Sequence, residues 1–412
     1  MHVAPTQEAL YAGLDLDLSW SERDLPEGER TKHVHRLHPY LGKFIPQLVE
    51  TLLERHVAVG GRVLDPFAGS GTTLVQALES GRWATGADIA AFNCLLMRVK
   101  TRRYNPLVLE YELRDALRRL EQADLATDCC SVSEASEYVR AWYAPRAAAE
   151  LLFFRCLVDA YEHADVLRVV LARAARSARR AAHFDLDFPG APHLEPYWCH
   201  KHRRTCRPVE RARHFLERYT LDTLRRINDF SRARARDCEA DVLHGDAREL
   251  RFGGPFDAVL TSPPYPGLID YHEQHRYAYE LLGLDDRREL EIGAGASGTN
   301  RAALDAYSDA IVAVLENCAR ALRPGAPIVI VAGDRRHLYP DILARAGLRL
   351  EKRLRRHVNR RTGRRAGEFY EDVFVARADR DGRGRGRRRP SRSADRSADA
   401  RGARVRASRP AR

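Results

Sequence analysis

Short apolar runs closed by glycine or proline alternate along this chain with stretches of helical spacing. From Phe44 to Leu53, FIPQLVETLL repeats apolar residues at helical intervals behind a proline suited to a first turn. Next comes GRVLDPFAGSGTTLVQALESGRWATGADIA. It reads as a buried strand at Arg62 to Asp65, a Gly-rich turn, a helix closed by Gly81 and a second strand at Trp83 to Asp88. Strand, turn, helix and strand in that order imply parallel strands joined by a right-handed crossover. From about Asn93 to Cys238 the pattern is mostly helical, broken at DFPGAPHLEPYWCHKHRRTCRP. Strands are then predicted at Asp241 to His244, Asp257 to Leu260 and Pro327 to Val331. The helix YSDAIVAVLENCARALRPG is predicted to be capped by Gly325, and LRLEKRLRRHV and EDVFVARA form a closing antiparallel pair. The pattern predicts a doubly wound, mostly parallel α/β sheet with an antiparallel last strand, interrupted by a mainly helical insertion. The expected divisions are an irregular segment 1–30, a first half 31–100, an insertion 101–238, a second half 239–377 and a disordered tail 378–412.

Charge sharpens this division. The formal net charge is +12, and from Asp381 to Arg412 twelve Arg stand against three Asp, so the folded part is close to balanced. That tail has no aromatic residue and almost no aliphatic one to bury and reads as disordered, serving either as a phosphate-binding arm or simply as an Arg-rich terminus. The eight cysteines follow no disulfide rhythm, the first twenty residues lack a basic start with an apolar core, and no run approaches 18 apolar residues. A cytoplasmic protein without a membrane segment is expected.

In DPFAGSGTT, Gly69 and Gly71 let the backbone approach a ligand, and the following helix offers unpaired N–H groups at its start. The third glycine of the dinucleotide fingerprint is missing, and no lysine precedes Thr72 and Thr73, which argues against a nucleoside triphosphate. Asp88, ending the second strand, is placed to accept from ribose hydroxyls, and Asp246, after the third, from an adenine amino group. As ordinary features they would be a helix cap and a turn residue.

The strand FDAVL runs into Ser262, Pro263, Pro264 and Tyr265. Two prolines fix φ and supply no N–H, so the chain leaves the sheet as a stiff loop whose carbonyls point in set directions. A hydroxyl and a carbonyl there can accept both protons of an exocyclic amino group while a tyrosine ring stacks on the base. Accepting those protons returns the delocalised lone pair to nitrogen and aims it at a methyl sulfonium.

These two loops, in this order, resemble those of S-adenosylmethionine-dependent amino-methyltransferases that modify cytosine N4 or adenine N6 in DNA. DPFAGSGTT is similar to the family's cofactor loop and TSPPY to its catalytic loop, the Ser form being more usual in cytosine-N4 members. HPYLGKFIPQLV (38–49) is similar to the segment covering the methionine end, and IDYHEQHRYAYELLGL, LEIGAG and YSDA to a cytosine-N4-type subgroup. The resemblance covers about 31–100 and 239–376. It implies a Rossmann-like methyltransferase fold, with the first half binding S-adenosylmethionine and the second carrying the catalytic loop. Lys43, Phe44, Asp65, Pro66, Phe67, Gly69, Gly71 and Thr72 would line the cofactor, Asp88 would hold the ribose, and Asp246 and Ala247 the adenine. Ser262, Pro263, Pro264 and Tyr265 would handle the target base. Double-stranded DNA is the expected partner, with a cognate restriction endonuclease as a further one and a monomer as the working form. The rival readings are adenine N6, a guanine amino group in tRNA, and a nucleic-acid-binding protein with a retired site. One departure stands out: the long segment between Asp88 and Asp246 precedes the third strand instead of following it.

No metal is expected. Cys199, His200, His202 and Cys206 mix metal-ligating types, but no CxxC pair is present. Lys201, Arg203, Arg204 and Arg207 make a basic, aromatic loop an alternative there, with a solvated turn as the plainer reading. Arg and Ala stripes such as LRVVLARAARSARRAAHF could track a DNA backbone or be a solvated face. His33 to His38 (HVHRLH) reads as entry to the cofactor cover, and EIGAGASGTN as a mobile lid or a surface loop.

Overall fold

The apolar runs predicted as strands come together in one sheet. The computed structural model describes residues 15, 18–20, 24–42, 44–125, 132–183, 185–186, 189–358 and 369–378. Strands β1 (Arg62–Asp65), β2 (Trp83–Asp88), β5 (Ala240–His244), β6 (Ala258–Thr261), β7 (Pro327–Ala332), β8 (Leu348–Val358) and β9 (Phe369–Ala378) form this sheet, and β3 (Tyr197–Cys199) and β4 (Arg204–Cys206) form a separate hairpin. The order is β5-β2-β1-β6-β7-β9-β8. The first five of these are mutually parallel, while β9 runs antiparallel to both neighbours, as the pattern predicted.

Successive strand residues point to opposite faces, so two apolar layers form from alternate positions. Val63, Ala258, Leu260, Val329 and Val331 face α1 (Pro46–His56) and α2 (Thr72–Glu79). Leu64, Val259, Ile328, Ile330 and Phe374 face the long helix that joins β6 to β7. That helix spans Arg301–Arg320, with Asn300 capping it by accepting from the Ala303 N–H. It ends at Arg320, so Gly325, expected as its cap, lies instead in the turn before β7 at φ +78°.

The insertion shares its core with the sheet's own helices. Next along the chain, α3 (Ala91–Thr101) turns Cys94 and Met97 toward the sheet and Phe92, Leu95, Leu96 and Val99 away from it. Onto that outer face pack α4 (Pro106–Gln122), α5 (Glu137–Trp142), α6 (Pro145–Leu157), α7 (Ala164–Ala178) and α8 (Arg213–Ala233). The Arg and Ala stripe of α7 is a core face, not a solvated or DNA-tracking one, because ten of its residues are buried. Arg173 is buried there and donates to Thr223 Oγ1 at 2.6 Å and to Asp222, while Arg179 lies over the Tyr277 ring. Asp222 also accepts from Arg225 and Arg226; burial alone would raise its pKa, but these guanidinium bonds hold it down at about 2.

Within the segment expected to be irregular, Glu27–Arg30 is a turn of helix, and Leu18 is buried where its carbonyl accepts from Arg356. Beyond Ala378, the expected disordered tail lies outside the described residues. Among the described residues, no helix is long and apolar enough to cross a membrane.

Gly86 in β2 shows how closely α2 sits on the sheet. A Cβ there would fall 2.6 Å from Leu74 Cδ1 and 2.9 Å from Ala68 Cβ. Gly86→Ala is therefore expected to cost about 1–3 kcal/mol by overpacking, read as a lower urea midpoint. Adding Leu74→Ala should return part of that loss, because the methyl then has room. A double variant less stable than either single one would contradict the packing.

Candidate active site

At the carboxyl end of β1 the chain must turn sharply into α2, and it does so through left-handed backbone at Gly69 (φ +52°) and Gly71 (φ +82°). Two carboxylates hold this turn. Asp65, buried, accepts from the Phe67 N–H at 3.1 Å and from the Thr261 hydroxyl at 2.6 Å. Asp88 accepts from the N–H groups of Gly69 (2.9 Å) and Ala90 (2.8 Å) and from the Asn93 amide (3.0 Å). Loss of hydration pushes each carboxyl up to about 6, against the hydrogen bonds that favour its charged form.

Beside this turn opens a cleft. Its walls come from the carboxyl ends of four neighbouring strands, where ligands bind in open α/β sheets. Pro66, Phe67 and Gly69 follow β1, Asp88 to Ala90 follow β2, Gly245 to Ala247 follow β5, and Ser262 and Pro264 follow β6. Asp246 sits on the wall already paired with Arg248, whose backbone N–H and guanidinium both donate to it. Burial works to raise its pKa, but the Arg248 bonds win and lower it.

Thr261 ties the next loop to the first. From there the chain leaves the sheet at Ser262, whose hydroxyl donates to the Val331 carbonyl at 2.9 Å. Ser262 lines the cleft, and its hydroxyl can both donate and accept. Pro263 is buried beneath, and the Tyr265 hydroxyl donates to Glu371 on β9 at 2.9 Å. Glu371 in turn accepts from buried Arg356 at 3.0 Å, so the ring of Tyr265 is fixed by β8 and β9.

Residues not singled out in the sequence complete the cleft. Tyr40 stacks on Tyr271 at 5.3 Å and accepts from Asn93, which also bonds Asp88. Glu291 closes the far side, accepting from the backbone N–H groups of Tyr271 and His272 and bonding the His272 ring. The EIGAG stretch is thereby tied down: the Gly293 carbonyl accepts from Gly267, and Asp270 accepts from the Ala296 N–H. Tyr40 lies in HPYLGKF and Glu291 in LEIGAG, so the segments were visible, but which side chain faces the cleft was not. Of the remaining expected residues, Phe44 packs on the α1 layer, and Gly71 and Thr72 sit behind the wall, where a Cβ on Gly71 would meet Met97. Lys43 lies outside the described residues. The HVHRLH histidines are bonded inside the fold, His35 to Gln76 and His38 to the Tyr277 hydroxyl.

A DNA methylase family model for N6 and N4 enzymes matches residues 11–97. The type II methyltransferase M.MjaII of Methanocaldococcus jannaschii is 36% identical, with 89% of this chain and 84% of that protein covered. The chain belongs to the DNA amino-methyltransferase family. Two further type II methyltransferases are similar over less of their length. M.MvaI of Kocuria varians is 34% identical over 20% of this chain and 18% of that protein. M.BsoBI of Geobacillus stearothermophilus is 20% identical over 65% and 56%. Solved structures overlay loosely; the rRNA methyltransferase aviRa of Streptomyces viridochromogenes has a TM-score of 0.33 at 14% identity, covering 87% of this chain and 93% of that one.

As an amino-methyltransferase the protein uses S-adenosylmethionine, and the cleft fits it. A Cβ at Gly69 would fall 2.9 Å from the Tyr40 hydroxyl, so bare backbone is what lets the loop and Tyr40 share one wall. The partly exposed Asp88 carboxylate lines the cleft and is an acceptor of the kind that a sugar hydroxyl can donate to.

A ribose donates better to an ionised carboxylate than to a protonated one. Cofactor affinity is therefore expected to fall as pH is lowered through about 6, and Asp88→Asn to weaken binding about tenfold at neutral pH while flattening that slope. Titration calorimetry across this range reads both. An unchanged slope in Asp88→Asn would move the pH effect to Asp65, whose pKa is raised to about 6 as well.

Proposed function

We propose that this protein is a site-specific DNA methyltransferase that transfers the methyl group of S-adenosylmethionine to the N4 amino group of a cytosine turned out of the duplex. The observation that carries this reading is the Ser262 hydroxyl, which donates to the Val331 carbonyl and lines the same cleft as the Gly-rich turn. S-adenosylmethionine supplies an electrophilic methyl on sulfur, and the protein's task is to make an amide-like nitrogen nucleophilic and hold it in line. Ser262 Oγ accepts one amino proton, and the Pro263 carbonyl is the natural acceptor for the other. Neither proline of the loop has an N–H to compete for them. As the C–N bond forms and the C–S bond breaks, positive charge grows on the amino nitrogen. Acceptors aimed at its protons stabilise that charge more in the transition state than in the ground state. One proton then passes from nitrogen to solvent water, giving the methylated amine and the neutral thioether.

Serine at position 262 favours cytosine N4. The same acceptors would serve adenine N6. The helical insertion, residues 101–238, is proposed as the region that reads the DNA, with Asp88 on the ribose and Asp246 and Ala247 near the adenine of the cofactor. A monomer acting on one strand at a time, beside a cognate endonuclease, completes the proposal.

Incubation with labelled S-adenosylmethionine and mixed duplex DNA, followed by digestion and mass analysis of nucleosides, tests the reading directly. N4-methylcytosine is expected; N6-methyladenine would keep the mechanism and change the base, and label in tRNA alone would sink the DNA assignment. Ser262→Ala is expected to lower kcat about a hundredfold, the scale of one oriented hydrogen-bonding group, with cofactor affinity unchanged. Equal loss of cofactor affinity would contradict the role given to Ser262.

A further inference from the structure

The insertion holds a cluster that the methyl-transfer chemistry does not use. β3 and β4 are only three residues each, and their pairing sets Tyr197 opposite Cys206 and Cys199 opposite Arg204. These four therefore share one face of the ribbon, with Trp198, more than half exposed, on the other. A lone two-stranded ribbon this short is marginal in water, and its inner face offers two thiols where a core would need hydrophobes. Both thiols are buried, Cys199 fully and Cys206 to 6% exposure, and both are free of disulfide.

Two imidazoles meet them. His202 comes from the turn of the hairpin, and His183 arrives from the chain that follows α7, sixteen positions before Cys199. Cys199 Sγ lies 3.7 Å from His183 Nδ1 and 3.6 Å from His202 Nδ1, and His202 Nδ1 lies 3.4 Å from Cys206 Sγ. All four ligand atoms fall within 4.8 Å of one another. Sulfur and nitrogen bound to one tetrahedral zinc, at about 2.3 and 2.05 Å, stand about 3.6 Å apart, so these separations are those of ligands around a shared ion. The Tyr197 hydroxyl accepts from the His183 N–H at 3.1 Å, fixing that histidine to the hairpin's base.

We propose that His183, Cys199, His202 and Cys206 bind a structural zinc ion that closes this hairpin onto the end of α7. Four protein ligands leave no open position, so the site is structural and not catalytic. Two thiolates and two neutral imidazoles cancel the charge of Zn²⁺, and binding releases the two thiol protons. His200, which stands beside the cysteines in sequence, is not in the set. Two other groupings of metal-ligating types differ in kind. Glu112 spends its oxygens on the Glu162 and His163 N–H groups and the His163 ring, and Glu79 pairs with Lys32 and His33.

The test uses the full chain purified under reducing conditions without chelator. Elemental analysis is expected to find about one zinc per chain, and chelator-treated protein to take up Co²⁺ with the visible d–d bands and sulfur charge-transfer absorption of a tetrahedral S₂N₂ site. Cys199→Ser, Cys206→Ser and His183→Ala should each lose the metal at least tenfold more readily to a chelator, while His200→Ala keeps it. If the cysteine variants fail to fold, the Co²⁺ spectrum of the unaltered chain still decides. Absence of tetrahedral cobalt bands, a Cys199–Cys206 disulfide in the reduced preparation, or zinc lost with His200→Ala but kept in His183→Ala would overturn the assignment.

Discussion

The hydrogen bond from Thr261 to Asp65, 2.6 Å long and fully buried, is the contact on which the active site depends. It joins the last residue of β1 to the last residue of β6, two parallel neighbours. The Gly-rich turn begins at one end of this bond and the Ser-Pro-Pro-Tyr loop at the other. Because a buried carboxylate without partners is costly, Asp65 must also keep the Phe67 N–H, and that requirement bends the turn. The Gly-rich turn and the Ser-Pro-Pro-Tyr loop are thus positioned against each other by one desolvated acceptor. The raised pKa of Asp65, about 6, reports how little water is left to share the task.

Asp88 repeats the device one strand over. Its carboxylate gathers the Gly69 N–H, the Ala90 N–H and the Asn93 amide, and Asn93 passes the constraint on to Tyr40. A turn from β1, a helix start after β2 and an aromatic side chain from the N-terminal segment are held in one network. In the Ser-Pro-Pro-Tyr loop, rigidity has another source. Ser262 is bonded to β7 and Tyr265 to β9, so a loop without N–H donors is fastened by its side chains to two strands beyond its own. The antiparallel β9 matters for this reason, since it brings Glu371 back to the edge of the cleft.

Helix α3 explains how the fold accepts a long insertion between β2 and β5. One face of α3 belongs to the sheet and the other to the insertion, so the inserted helices extend an existing layer and bury arginines as they do so. That is why the Arg and Ala stripe of α7 misleads when read alone. Arg173 and Arg179 look like a solvated or DNA-facing row, yet Asp222, Thr223 and the Tyr277 ring, all distant in sequence, make their burial tolerable.

What the sequence by itself determined is everything with a short physical range. Alternation and glycine punctuation specified the parallel strands, the crossover and the antiparallel close, because strand period and turn chemistry are local. Two prolines after a core strand, and two glycines before a helix, marked both loops of the cleft for the same reason. Only the tertiary structure decided which residues of the flanking segments face that cleft, Tyr40, Asn93 and Glu291 among them, since a side chain's direction depends on the partner it packs against. It likewise brought His183 to the cysteines in place of His200, because a ligand set is a meeting of segments in space, and spacing along the chain records only the ligands that one segment carries.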